Sequence, residues 1–569
     1  MPRPRMVLAF AVSLLTLALV APSAAVADPP THVVVIVLDQ ARPDTIDRYG
    51  MKNVQELQAK GKSFPNALVG HMAAETVISH NVLTSGLFPK HMGWTNEVYR
   101  DVDEVLGDDT VPGVPNYYVT SSMSCGQFKK LIEAGDYAKL QDYLDEQFDD
   151  NSKFASISQK RTSACTSGWT ANTDSDDIIF QIRNVSSPAC DPAVPSGWRS
   201  PEYANGTPPS YLDLSSCSRW STWQAAGAYG TGGLSPANIY PLDGNRFVPG
   251  FDPAHLGGDT WSADAAIQVI QNDPTWHGMM VSLGAIDKMG HMWGPEDTVT
   301  GPPGSDRQVS HLPFAARNAD AQVGRIVDAL EARGLLDNTL IVITADHAAQ
   351  TGTPGKTFFG DLDPVVTNPP CGGIRSDCNW YFGAETGPLE TERYLDPSPA
   401  VEDLRDALAG NLAFSYQDGH VAAWLTDNSP TKKQEAAEAV LDMPGVIASY
   451  RTNDDQDDYE LVDTNPMSRS DRNWFLAHAG ELVDTMAAPN GPDVVGLVAT
   501  DVTYGVVGDH GGHNKLIQNI PMVFYGPGVS HKDSSLELRH VDVLPTILEA
   551  MGIDYDAGTL DGEAVPLGD

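Results

Sequence analysis

Apolar runs that stop at an acidic residue are the feature that most limits how this chain can fold. The first run, residues 31–38 (THVVVIVL), is almost wholly aliphatic and stops at Asp39. Three similar runs occupy residues 278–286, 340–345 and 502–508, and the acids that follow them are Asp287, Asp346 and Asp509. Nearly continuous apolar runs of this length are typical of strands buried on both faces of a parallel sheet.

Helical patterns separate these runs. Apolar residues recur at helical spacing between positions 323 and 330, before Gly334, and residues 541–551 predict a C-terminal helix. A further strand is predicted at residues 521–525. Strands that alternate with helices predict an α/β fold with a largely parallel central sheet flanked by helices. Ligands bind such sheets beyond the carboxyl ends of the strands, which is where the acids lie.

Two stretches interrupt this alternation, residues 105–258 and residues 350–495. The first is rich in Gly, Pro, Ser and aromatic residues, and the second has its own strand–helix pattern at residues 421–441. We interpret both as insertions in one catalytic domain that spans residues 28–569.

The first 27 residues predict a secretory signal peptide. Arg3 and Arg5 precede an apolar stretch, and a small-residue cleavage site ends at Ala27. An uncleaved membrane anchor is the alternative, but the apolar stretch is short for a bilayer span. No later segment contains 18 consecutive apolar residues, so we expect a secreted protein without membrane contact after signal cleavage.

The six cysteines predict disulfide bonds, because an even number is typical of an exported chain. Cys371 and Cys378 flank a short loop and are expected to pair. The pairing of the other four stays open among three combinations, and these four are Cys125, Cys165, Cys190 and Cys217.

The charge of the chain argues against nucleic-acid binding. Asp and Glu number 75 against 36 Lys and Arg, which gives a formal net charge of −39. A surface of this sign repels phosphate backbones. A small anionic substrate would therefore need a local source of positive charge, and metal ions are one such source.

Aspartate and histidine residues gather at the predicted strand ends. Any one of them has a simpler explanation, since such residues also cap helices and solvate loops. Together they provide the oxygen and nitrogen ligands of catalytic zinc sites. An exported metal-binding protein without catalysis is the alternative, although structural zinc sites usually close with four protein ligands. The residues are Asp39, Asp287, His291, Asp346, His347 and His510.

The segments around these residues occur in the order of a known enzyme family. They are VVVIVLDQARPD, TVISHNVLTSGLFPKHMGWTN, D-x-x-x-H-x-x-G-P, ADH, DHGGHN, IPMVFYGPG and VDVLPTILEAMG. This set resembles the alkaline phosphatase superfamily, and most closely its type I phosphodiesterase/nucleotide pyrophosphatase branch. The resemblance extends over residues 32–555 apart from the two insertions, and it implies an alkaline phosphatase-like core.

The resemblance implies a site for two Zn²⁺ ions, although other divalent ions fit the same ligand types. The implied ligands are Asp287, His291 and His510 for one ion, and Asp39, Asp346, His347 and the oxygen of Thr76 for the other.

The resemblance also assigns roles to four further positions. Thr76 is the implied nucleophile, which would form a covalent phospho-threonine, and Asn96 would bind a phosphoryl oxygen. His80 matches a position that we interpret as structural support. His513 competes with His510 for the role of ligand, and we prefer His510 because it occupies the x-His-Gly position of the family.

The chain departs from the family pattern at two positions. Gln40 and Ala348 stand where the family usually has glycine. The ligands survive both changes, so the departures concern the local backbone and the fit of the substrate.

The substrate class has two interpretations. The branch favours a phosphodiesterase or nucleotide pyrophosphatase that acts on a small phosphate ester. A phosphomonoesterase is the alternative, because a monoester dianion usually needs a further cation, and Lys160 in the first insertion is a candidate for it. Lys160 and Arg161 are adjacent, whereas some threonine-type monoesterases carry a K-x-R element, and such a pair is most often on the surface.

Overall fold

The computed structural model describes residues 28–107, 116–120, 123–148, 152–171, 177–181, 201–203, 209–212, 253–293, 295–296, 311–351, 404–504 and 508–568. The predicted signal peptide lies outside these residues and stays a prediction. Four of the six cysteines also lie outside the described residues, so their disulfide bonds stay predictions. They are Cys190, Cys217, Cys371 and Cys378.

The described strands are short, and most have five to eight residues. They are β1 (His32–Leu38), β2 (Lys62–Ser63), β3 (Val98–Arg100), β4 (Tyr117–Val119), β5 (Lys153–Ser158), β6 (Asp177–Gln181), β7 (Pro201–Tyr203), β8 (Trp276–Leu283), β9 (Thr339–Thr344), β10 (Gln350–Thr351), β11 (Leu412–Gln417), β12 (His420–Leu425), β13 (Val446–Thr452), β14 (Tyr459–Thr464), β15 (Val494–Val498), β16 (Gly508–Asp509) and β17 (Met522–Tyr525).

The described α-helices range from one turn to six. They are α1 (Pro43–Tyr49), α2 (Lys52–Lys60), α3 (Thr76–Ser85), α4 (Pro89–Met92), α5 (Cys125–Gly135), α6 (Leu140–Phe148), α7 (Arg161–Gly168), α8 (Pro253–Asn272), α9 (Ala285–Trp293), α10 (His311–Ala332), α11 (Pro430–Leu441), α12 (Arg469–Asp484), α13 (Lys515–Gln518) and α14 (Val543–Met551). None of the helices among the described residues combines the length and apolar composition that a bilayer span requires.

An eight-stranded sheet forms the centre of the fold, in the order β2-β17-β9-β1-β8-β5-β6-β7. The five strands from β9 to β6 are parallel, and the pairings that involve β17, β2 and β7, towards the edges, are antiparallel. Residues of β1, β8 and β9 share one buried cluster with residues of α2, α8, α10 and α14. The predicted α/β class, with a largely parallel central sheet flanked by helices, is confirmed.

Part of the first predicted insertion belongs to this sheet. β5 lies within residues 105–258, yet it pairs in parallel with β8 over residues 153–158. Every residue of β5 after Lys153 is buried. The sequence pattern missed β5 because small polar residues alternate with apolar ones along it, and the interior of the sheet accepts both.

The second predicted insertion contains most of a separate antiparallel sheet, the inserted sheet, whose order is β11-β12-β15-β13-β14 and whose strand β15 extends past residue 495. Helix α11 packs on it through Ala436, Ala437 and Val440. The turn between β11 and β12, residues 417–420, is called the inserted turn below.

The run at residues 502–508 differs from its prediction. Only Gly508 of its described residues belongs to a strand, the two-residue β16, which pairs antiparallel with β10. Val502 and Tyr504 are buried in the core of the inserted sheet instead. These residues are therefore apolar because they pack against a second core, and not because they form a strand of the central sheet.

A disulfide bond joins Cys125, the first residue of α5, to Cys165 in α7, with 5.4 Å between the Cα atoms. This is one of the pairs that the sequence left open. Helix α7 also contacts α3, so the bond ties α5 to helices near the carboxyl ends of the strands.

We expect the double variant Cys125→Ser and Cys165→Ser to lower the free energy of unfolding by about 2–4 kcal/mol, because the bond restricts the unfolded chain. Denaturant unfolding without reductant measures the difference. The wild-type protein in reductant should lose at least as much, because reductant also breaks the other predicted disulfide bonds. A double variant as stable as the oxidised wild type would contradict the prediction.

Candidate active site

The candidate residues follow four neighbouring parallel strands, at the carboxyl ends of those strands. Asp346 and His347 follow β9, Asp39 follows β1, Asp287 lies beyond β8, and Lys160 follows β5. Because these strands are adjacent in the order β9-β1-β8-β5, their carboxyl ends lie side by side.

Asp287 does not follow its strand directly. β8 ends at Leu283, and Asp287 lies in the first turn of α9, with His291 one turn later. Residues four apart lie on one face of a helix, which explains the D-x-x-x-H spacing.

Asp287, His291 and His510 form the first group of potential ligands, with one ligand atom of each within 4.8 Å of the others. His291 Nε2 lies 2.9 Å from Asp287 Oδ1 and 3.2 Å from His510 Nε2. Burial lowers the pKa of His510, which favours the neutral imidazole that binds metals.

Asp39, Asp346 and His347 form the second group, within the same limit of 4.8 Å. His347 Nε2 lies 3.7 Å from Asp39 Oδ1 and 3.2 Å from the hydroxyl of Thr76. Burial lowers the pKa of His347 to about 3. All three residues are fully buried.

The two groups fit a pair of divalent cations. Among the described residues, Asp39 Oδ1 and Asp346 Oδ2 are buried but accept no hydrogen bond. Burial, together with the nearby carboxylates of Asp287 and Asp346, raises the pKa of Asp39. Buried carboxylates with free oxygen atoms, beside neutral imidazoles, are the donor set that zinc takes.

Thr76 begins α3, and its hydroxyl lies at the amino end of this ten-residue helix. The helix dipole and the free backbone N–H groups of a first turn attract anions. A phosphate group at Thr76 would therefore meet a favourable electrostatic environment.

Lys160 lies in the site rather than on the surface, since its side chain is only 10% exposed. Its Nζ is 2.6 Å from Asp39 Oδ2, 2.7 Å from Asp287 Oδ2 and 3.3 Å from Thr76 Oγ1. Arg161, by contrast, is exposed. The position of Lys160 follows from β5, whose end lies next to that of β8.

Gln40 connects the two ligand groups. Its backbone N–H donates to Asp346 Oδ1 and its side-chain amide donates to Asp287 Oδ1, each at 3.2 Å. Its φ of +66° explains why the family usually has glycine here. The left-handed conformation costs a non-glycine residue about 1–2 kcal/mol, which the two hydrogen bonds offset.

Ala348, the second departure from the family pattern, causes no such strain. Its φ is not among the positive values, its side chain is fully buried, and its backbone N–H donates to Ile517 O at 2.9 Å. Nothing in its surroundings requires glycine.

Three other predicted residues lie around this centre. His80 Nδ1 is 2.7 Å from the carbonyl oxygen of Thr76, as expected for a supporting residue. Asn96 is fully buried, and its Nδ2 lies 3.2 Å from His420 Nε2. His513 belongs to neither ligand group among the described residues, and its carbonyl oxygen accepts a hydrogen bond from Trp474.

The sequence reasoning missed Glu75, Asp418 and His420. Glu75 and Asp418 form a third group of close ligand atoms with His510. The sequence feature that could have identified Glu75 was its position directly before Thr76. The inserted turn that holds Asp418 and His420 carries no local motif, so nothing in its sequence linked these two residues to the site.

Comparisons with known proteins identify the family of this chain. The family model for type I phosphodiesterase/nucleotide pyrophosphatase matches residues 33–435. Alkaline phosphatase PhoD of Zymomonas mobilis subsp. mobilis is 22% identical over 587 aligned residues, which cover 94% of this chain and 88% of that protein.

Two solved structures share the fold. Wild-type alkaline phosphatase PafA has a TM-score of 0.61 at 15% identity, covering 95% of this chain and 99% of that one. Human ectonucleotide pyrophosphatase/phosphodiesterase 5 has a TM-score of 0.50 at 9% identity, covering 94% of this chain and 97% of that one. Since the family model matches well over half of the sequence, the chain belongs to the type I phosphodiesterase/nucleotide pyrophosphatase family and is a phosphoric ester hydrolase.

Proposed function

We propose that the protein is an exported phosphomonoesterase with Thr76 as its nucleophile and two divalent cations, most suitably zinc, at its centre. The observation that carries the monoester assignment is the 3.3 Å distance between Lys160 Nζ and Thr76 Oγ1. A monoester dianion carries one more negative charge than a diester, and an ammonium group beside the nucleophile lies where that charge would be.

Two groups of residues would hold the cations. Asp287, His291 and His510 would bind one ion, and Asp39, Asp346, His347 and the oxygen of Thr76 would bind the other. Cations bound there would lower the pKa of the Thr76 hydroxyl and neutralise charge on the phosphoryl group.

Residues of the chain would then carry out the reaction in two steps. The Thr76 oxygen attacks phosphorus in line with the ester oxygen, which leaves as the alcohol, and a phospho-threonine remains. Water attacks this phospho-threonine, releases phosphate and restores the hydroxyl of Thr76. Lys160 and the amide of Asn96 would bind the non-bridging oxygens, whose charge must be balanced in the transition state.

A phosphodiesterase or nucleotide pyrophosphatase is the second candidate. Membership of the family favours it, because the match over residues 33–435 includes the segments around Asp39, Thr76, Asp287 and Asp346. The two candidates share the nucleophile and the ligands, and they differ in what Lys160 contributes.

Parallel kinetics on p-nitrophenyl phosphate, bis-p-nitrophenyl phosphate and a nucleotide p-nitrophenyl ester separate the candidates. We expect Lys160→Ala to lower kcat/KM for the monoester by about 10²–10³-fold, as loss of one charge-stabilising donor does. The diester should lose less than about tenfold, since it lacks the charge that Lys160 would balance.

Lys153→Ala is the matched control, because Lys153 lies at the opposite end of β5 and pairs with Asp273 at 3.5 Å. A wild-type preference for diesters, with an equal loss on both substrates in Lys160→Ala, would replace the monoester assignment with the second candidate.

A further inference from the structure

Glu75 contacts His510 on the side of the ring that faces away from the first ligand group. Its Oε2 lies 2.6 Å from His510 Nδ1, while His510 Nε2 lies 3.2 Å from His291 Nε2. Glu75 and His510 are both buried. One ring nitrogen of His510 therefore faces the other potential ligands, and the other faces a carboxylate.

A carboxylate this close to Nδ1 favours the tautomer of His510 that carries its proton on Nδ1. A neutral imidazole that binds a cation through Nε2 must carry its hydrogen on Nδ1. A carboxylate that accepts this Nδ1–H fixes both the tautomer and the plane of the ring. Glu75 is also the residue that precedes helix α3, yet its side chain makes no capping hydrogen bond there.

Residues at and beside the inserted turn lie against Glu75. Asp418 of the turn has a carboxylate oxygen within 4.8 Å of ligand atoms of Glu75 and His510. The hydroxyl of Tyr416, in β11, lies 2.9 Å from Asp418 Oδ2 and 3.5 Å from Glu75 Oε1, whereas Glu75 Oε2 is the oxygen next to His510. These contacts restrain the carboxylate of Glu75.

The backbone of the inserted turn is joined to the same histidine. The N–H of Gly419 donates to the carbonyl oxygen of His510 at 2.7 Å. A Cβ atom on Gly419 would lie 1.9 Å from the carbonyl oxygen of Gly511, so only glycine permits this approach. The inserted turn therefore contacts His510 through its main chain and, by way of Glu75, through a side chain.

We propose that Glu75 is a positioning residue for His510, and that Asp418 of the inserted turn and Tyr416 of β11 hold Glu75 in place. The proposal rests on the proposed function only in taking His510 as a cation ligand. Glu75 would not touch the substrate. It would act by keeping Nε2 of His510 unprotonated and directed at the cation.

Competition between the purified protein and a chromophoric chelator for Zn²⁺, without substrate, tests this role. We expect Glu75→Ala to weaken the binding of one of two ions by about 10–100-fold, the usual effect of removing a carboxylate behind a histidine ligand. The second ion should bind as in the wild type, and excess Zn²⁺ should restore activity lost at limiting Zn²⁺.

Two further variants keep the test decisive if Glu75→Ala folds poorly. Glu75→Gln keeps an acceptor oxygen and should weaken the binding of the same ion by a smaller factor than Glu75→Ala does. Asp418→Asn should act in the same direction. Asp273→Asn is the matched control, since Asp273 is also a buried acid but pairs with Lys153 at the far end of β5, and it should leave both affinities unchanged.

Three results would overturn the proposal. Unchanged affinity for both ions in Glu75→Ala and Glu75→Gln would show that Glu75 does not position His510. An equal loss of affinity for both ions would indicate that Glu75 has a general structural role. Three ions in the wild type and two in Glu75→Ala would make Glu75 a ligand of a further ion. A wild type that binds Zn²⁺ but hydrolyses no monoester would refute the proposed substrate and leave this inference standing.

Discussion

Thr76→Ala should lower the turnover of every phosphate ester by at least about 10⁴-fold, in line with the loss of a nucleophile in other covalent hydrolases. The physical reason is that the variant lacks the hydroxyl that would attack phosphorus. Thr76 lies 3.2 Å from His347 and 3.3 Å from Lys160. Three other ligands would remain for each cation, so the bound metal should persist.

Steady-state kinetics and metal analysis on the same sample measure both effects. Thr84→Ala is the matched control, because Thr84 is a buried threonine of the same helix whose hydroxyl donates to the carbonyl oxygens of His80 and Asn81. It should change turnover little. Turnover close to wild type in Thr76→Ala would refute the assignment of the nucleophile.

Removal of the divalent cations by a chelator should abolish hydrolysis and lower the thermal stability. Asp39, Asp287 and Asp346 lie close together in the interior, and two like charges 4 Å apart repel by about 4 kcal/mol at an effective dielectric constant near 20. Ions that bind only the folded state at 1,000 times their Kd stabilise it by about 4 kcal/mol each. Calorimetry with chelator, and then with added Zn²⁺, measures the loss and its recovery.

The contribution of Asp39 to the stability of the chelated protein should also depend on pH in a defined direction. Burial and the neighbouring Asp287 and Asp346 raise the pKa of Asp39 in the folded state. At this position the folded chain therefore binds more protons than the unfolded chain, and the contribution of Asp39 should fall as the pH rises from the ordinary pKa of aspartate towards the raised one. The lowered pKa of His347 acts in the opposite direction, so the contribution of Asp39 is measured as the difference between the chelated wild type and the chelated Asp39→Asn variant over this range. A melting temperature that the chelator leaves unchanged would contradict the two-cation site.

The sequence predicted the strands that carry the ligands because their apolar runs reflect burial on both faces. β1 and β9 end within one residue of the predicted ends, and the acids after them meet as expected. The same pattern misled at residues 502–508, since Val502 and Tyr504 pack in the core of the inserted sheet. An apolar run indicates that a segment is buried, but it does not show in which hydrophobic core the segment packs.

The surroundings of the ligands were not predictable for a different reason. Whether Lys160 lies in the site or on the surface depends on β5 joining the central sheet, and the local sequence does not record that pairing. The contact between Glu75 and Tyr416 joins residues 341 positions apart. Such contacts arise from the docking of the inserted sheet, which no short motif encodes.

The order of the strands also sets when a growing chain could hold the proposed cations. Neither ligand group is complete within a short stretch of chain, because β1 at the centre of the sheet pairs with β8 and β9, which lie far along the sequence. A growing chain lacks one group until His347 has been made and the other until His510 has been made. One cation could therefore bind once His347 is present, the other would wait for His510, and a fragment truncated before His510 could not hold both ions.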